Sequence, residues 1–60
     1  MTIEEFKQTE ECKKAKRVVY LDINGVNISG KPPFILDMFS VIGVSYSANG
    51  DILVDVMYED

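Results

Sequence analysis

Few side chains in this chain could do covalent chemistry: one thiol at Cys12, no histidine, and carboxylates at Asp22, Asp51 and Asp55 set among strand-forming residues. A thiol becomes a nucleophile when an imidazole or a strong positive field holds it as the thiolate. Cys12 has no imidazole to pair with, and Lys13, Lys14 and Lys16 beside it supply only a solvated field. Asp51 and Asp55 share one face of a strand, but paired acids need a water-excluding cleft before their roles can diverge. Sixty residues in an open sheet do not build such a cleft. One cysteine without histidine also excludes the usual zinc ligand sets and any internal disulfide. The chain therefore reads as non-enzymatic, with no cofactor and no metal.

Size sets the next constraint. Residues 1–60 make one small domain, 47% hydrophobic, and a chain of this length buries only about 60% of its unfolded surface. Small domains often supplement a thin core with disulfides, a metal or a partner subunit. With the first two excluded, a protein partner or self-association is the expected supplement. The net charge is −4, unevenly spread. Glu4, Glu5, Glu10 and Glu11 open the chain, Lys13, Lys14, Lys16 and Arg17 follow, and acids dominate the remainder. Cations in the last turns of a helix complement its macrodipole. The acidic sheet behind them would repel a phosphate backbone, so nucleic acid is not the expected partner. No apolar stretch approaches the length of a membrane span and no signal-peptide pattern opens the chain, so the expected compartment is the cytoplasm.

The elements that would position these residues follow from local pattern. Thr2 followed by Glu5 is a capping box, predicting a helix over about 3–16. Its apolar stripe is narrow: Ile3 and Phe6 face one way, Cys12 and Ala15 another. Asn24-Gly25 and Asn49-Gly50, each flanked by apolar strand formers, predict two hairpins. The first spans Val18 to Ser29, with Val19, Leu21, Ile23 and Ile28 on the oily face and Tyr20, Asp22, Asn27 and Ser29 opposite. The second spans about Ser40 to Tyr58. A three-residue loop, Ala48-Asn49-Gly50 with Gly50 left-handed, pairs Tyr46 with Ile52, Val44 with Val54 and Ile42 with Val56. On its other face Ser45 meets Leu53, Gly43 meets Asp55 and Val41 meets Met57. Between the hairpins, Lys31-Pro32-Pro33 breaks the sheet, and residues 33–39 read either as a helical turn opened by Pro33 or as an extended run. Glu59 and Asp60 are expected to fray.

Three resemblances attach to these residues. Asp22-Ile23-Asn24-Gly25-Val26 after Val18–Leu21 resembles the first motif of haloacid-dehalogenase-like phosphatases, with Asn24 where that family has a second Asp and no length left for its fold. The same Asp-x-Asn-Gly is similar to the start of an EF-hand calcium loop, without the downstream glutamate. Over residues 22–54, Asp22-x-Asn24-Gly25, Gly30, Asp37-x-Phe39 and Asn49-Gly50 before Ile52–Val54 resemble the C-terminal sheet segment of bacterial type IV pilins and pseudopilins. That resemblance implies packing on a long N-terminal helix and a role in filament assembly. The long apolar helix is missing here, and Pro32-Pro33 interrupts the segment.

The expected fold is α+β, an N-terminal helix followed by two hairpins forming an antiparallel sheet of about four strands. One narrow helix cannot hide both faces of such a sheet. Tyr20, Val41, Leu53 and Met57 are then left as a protein-interaction surface for a partner or a second copy. A phage or mobile-element inhibitor of a host protein fits the small acidic composition, and a pilin-like structural tail is the alternative.

Overall fold

The computed structural model describes residues 1–58; the expectation for Glu59 and Asp60 lies outside them. Thr2 caps α1 (Ile3–Lys7) as the capping box requires. Its hydroxyl accepts from the Glu5 N–H at 3.1 Å, and Glu5 Oε1 accepts from the Thr2 N–H at 3.0 Å. The expected helix does not run on to residue 16. Thr9 interrupts it: its Oγ1 donates to the Phe6 carbonyl at 2.7 Å and accepts from the Cys12 N–H at 3.3 Å. One hydroxyl thus closes α1 and starts α2 (Glu10–Lys14), because Ser and Thr offer the backbone an alternative to the helical ladder.

Three strands follow, β1 (Arg17–Leu21), β2 (Phe39–Tyr46) and β3 (Asp51–Tyr58), with α3 (Pro33–Leu36) between the first two. Pro33 stands at the start of α3, where its missing N–H costs nothing, which resolves residues 33–38 as a helical turn that leads into β2 at Phe39. The sheet is α+β in class but mixed, in the order β1-β3-β2. β3 runs antiparallel to β2 and parallel to β1. This corrects the expectation of two hairpins in a four-stranded antiparallel sheet. The second hairpin forms as expected around Gly50, at φ 87°, with Tyr46 opposite Ile52 and Val44 opposite Val54.

The first hairpin forms only its turn. Gly25 takes φ 77°, and Asp22 Oδ1 accepts from the N–H groups of Asn24 and Val26 at 2.8 and 2.9 Å. The return arm then makes a single bridge, Asn27 to Leu21, instead of a strand. The edge of β1 that a returning strand would have taken is left to a short arm, and its other edge receives β3.

The core lies on one face of the sheet. Ile52, Val54 and Val56 of β3 meet Tyr20, Ile3, Phe6, Ile28 and Leu36, all buried. Half-buried Cys12, Ala15, Val18, Phe39 and Val41 pack around them. All three helices and the arm through Ile28 thus serve one side. At the far end, the Phe39 and Tyr58 rings meet edge to face at 5.5 Å, a favoured aromatic geometry.

Candidate functional site

Side chains alternate across a sheet, so burying Ile52, Val54 and Val56 sends Asp51, Leu53, Asp55 and Met57 to the other side. The parallel register sets Val19 beside Leu53 and Leu21 beside Asp55. Val19 and Leu21 therefore join this second face, half-buried. The sequence pattern assigned them to the core with Ile23. Val18-Val19-Tyr20-Leu21 is apolar at every position, so alternation alone does not choose a side. Packing beside Val54 chooses Tyr20 instead.

On β2 a bulge changes the parity. The register slips between Val41 and Gly43, placing Val41 opposite Val56. Val41 consequently packs against the core, a correction to its expected place on the open face. Ile42 takes the exposed side of the bulge, 56% accessible. With Asp55, Asp22, Ile23 and Gly25 it lines a shallow cleft of about 400 Å³. Gly43 lies beside this cleft, where an added Cβ would sit in ordinary contact, 3.4 Å from Asp55 Oδ2.

Of the four residues singled out by sequence, two lie on the open face: Leu53 half-buried and Met57 42% exposed. Val41 lines the core, and Tyr20 is only 6% exposed, which corrects its expected place as a surface residue. Burial pushes the Tyr20 phenol above its ordinary pKa, and the nearby Cys12 adds to the rise. Val19, Leu21 and Ile42 were missed. The continuous apolar run through β1 was the available signal for a strand with two greasy sides, whereas nothing local marks the bulge.

The face is apolar with an acidic rim. Val19, Leu21 and Leu53 occupy its middle, Ile42 and Met57 one end, and Asp55 stands exposed among them. At the other end Arg17 donates to Asp51 Oδ2 at 3.0 Å, with the arginine side chain 70% exposed, so this pair is worth little stability. The Asp22 carboxylate is committed to its own turn. Among the described residues no group of three or more His, Cys, Asp or Glu side chains gathers to hold a metal ion. No helix among the described residues is long and apolar enough to cross a membrane. The chain matches no protein-family model, no curated protein and no solved structure.

Proposed function

We propose that this protein is a small non-enzymatic interaction module that binds a partner protein, or a second copy of itself, through the uncovered face of its sheet. One observation carries the reading. Every helix contributes to the Val54 side, while half-buried Val19, Leu21 and Leu53 and exposed Ile42 and Met57 share the other side, bordered by the Asp22–Gly25 turn. The largest apolar patch on an ordinary monomer covers about 300–600 Å² and is often functional. Burying about 300 Å² at roughly 25 cal/mol per Å² contributes several kcal/mol before the costs of association. Asp55 on the same face favours a partner with a cationic rim.

The small size and acidity fit an inhibitor or regulator, of the kind phages and mobile elements carry, that occupies a host protein; this is an analogy of composition. A pilin-like structural tail is the second reading, supported by the folding of both Asn-Gly turns with positive φ at Gly25 and Gly50. It requires a long apolar helix encoded upstream of Met1 and export of the product.

The experiment is affinity capture from the source cell with wild-type protein and with Leu53→Asp as bait. A specific partner that is retained by the wild type and lost by Leu53→Asp supports the reading. A partner held equally by both removes this face from its binding.

A further inference from the structure

We infer that the outer edge of β2 is a self-pairing site, at which two copies of the chain join antiparallel about Ser45 to form one six-stranded sheet. The inference stands on the strand edges and not on the open face. Most of the available edge is already occupied. Along β1 the Asp22 N–H donates to the Val26 carbonyl at 3.0 Å and the Ile28 N–H to the Tyr20 carbonyl at 2.8 Å. The Tyr20 N–H donates to Ser29 Oγ at 2.8 Å. At the start of β2, the Val41 N–H donates to the Met1 carbonyl at 2.7 Å, and Thr2 bridges Ser40.

Beyond the bulge, nothing in the described chain pairs with the outer side of β2. The Ser47 N–H donates inward to the Asp51 carbonyl at 3.0 Å, and hydrogen-bonding direction alternates along a strand. Ser45 and Gly43 thus face β3, while Val44 and Tyr46 turn their N–H and C=O groups outward. Their side chains are 38% and 65% exposed. Natural edges are blunted by lysine, proline or inward-pointing charge. Phe39–Tyr46 contains no proline and no charged residue in a chain that carries sixteen of the latter, ten acidic and six basic.

The second copy is the occupant that this edge fits. A partner's charged strand finds no counter-charge on this strand, whereas two copies of the uncharged Phe39–Tyr46 segment meet without like charges in contact, although each chain carries −4 overall. With Val44 set opposite Tyr46 of the second copy, and the reverse, each outward N–H meets an outward C=O, giving four backbone hydrogen bonds. The side chains then stand as two aromatic–β-branched cross-strand pairs, a favourable combination. Ser45, small and exposed, falls opposite itself in a non-hydrogen-bonded position. The two-fold axis runs through the sheet, so both helical layers lie on one side and both open faces on the other.

That register is tested by cysteine placement. Facing residues at a non-hydrogen-bonded antiparallel position have Cα atoms about 4.5 Å apart, within disulfide range. Under mild oxidation, Ser45→Cys in a Cys12→Ser background is expected to convert almost wholly to a linked dimer, and Ala48→Cys in the same background is not. In light scattering, Ser45→Lys alone and Ser45→Glu alone are expected to be monomers, and their mixture a heterodimer. Circular dichroism confirms that these exposed substitutions leave the fold intact. A wild-type monomer at millimolar concentration overturns the inference, as does a dimer that survives Ser45→Lys. A dimer broken by Leu53→Asp but not by Ser45→Lys also overturns it and assigns self-association to the open face. A monomer that still captures a partner through Leu53 leaves the proposed function standing alone.

Discussion

Thr2 and Glu5 exchange two hydrogen bonds at the first helix, and Thr2's backbone N–H, then its hydroxyl, holds the Glu5 carboxyl below its ordinary pKa. A carboxylate whose folded pKa is lowered stabilises the protein above its unfolded value and loses that contribution as pH falls through the folded value. Wild-type stability is therefore expected to decline below about pH 4.5. In Glu5→Gln, urea midpoints measured from pH 6 to 3 should show a shallower decline. Tyr20 works at the opposite end. Its raised pKa means the folded state keeps the proton longer, so its stabilisation is complete below the ordinary value of 10.0 and disappears as pH rises through the folded one. Tyr20→Phe should flatten the alkaline limb of the denaturation profile. An alkaline limb as steep as that of the wild type would contradict the burial of this phenol. Thr9 shows how one hydroxyl divides a helix; with Cys12 three residues on instead of an acid, it lacks the capping-box pattern that marks Thr2.

Among the elements, the second hairpin is the most self-sufficient. Its loop, its left-handed glycine and its first four cross-strand pairs follow from a few adjacent residues. Gly50 at φ 87° also lies under the Lys16 side chain, whose Cδ would be 3.6 Å from an added Cβ, so space is available but conformation is not. Gly50→Ala is expected to cost about 1–2 kcal/mol from the left-handed backbone alone, read as a lowered urea midpoint with an unchanged slope. A neutral result would show that the turn rearranges. The first Asn-Gly turn forms for the same local reason, yet its return arm carries Val26, Asn27, Ile28 and Ser29 away from strand geometry. Ile28 buries its side chain and Ser29 spends its hydroxyl on the Tyr20 N–H. The turn was legible and the end of the strand after it was not, because the burial of Ile28 and the Ser29 hydroxyl bond to the Tyr20 N–H are set by tertiary packing, while β3 takes the opposite edge of β1.

For the molecule as a whole, the buried core and the proposed recognition face lie on opposite sides of one sheet. Ile3 is fully buried, and Ile3→Ala should cost about 2–5 kcal/mol through lost contacts and a cavity. At about 0.05–0.15 kcal/mol per residue, a domain of this size has only roughly 3–9 kcal/mol to lose. Leu53→Asp acts on the uncovered side and is expected to change stability by about 1 kcal/mol or less while lowering partner affinity at least about tenfold. Thermal melts and binding isotherms on the two variants separate these roles. If Leu53→Asp unfolds the protein as Ile3→Ala does, the open face belongs to the core and not to a partner.

What sequence alone determined here is local: the capping box, both Asn-Gly bends, the proline-opened turn and the register of the second hairpin from its loop as far as Gly43. Each depends on backbone conformations and hydrogen bonds among residues close along the chain, which residue type largely sets. Tertiary structure decided which side of β1 is inside, that β1 lies parallel to β3, and that a bulge exchanges Val41 for Ile42 on the outer surface. Four apolar residues in succession fit a core from either side, so only the neighbours that arrive from distant parts of the chain could break that symmetry.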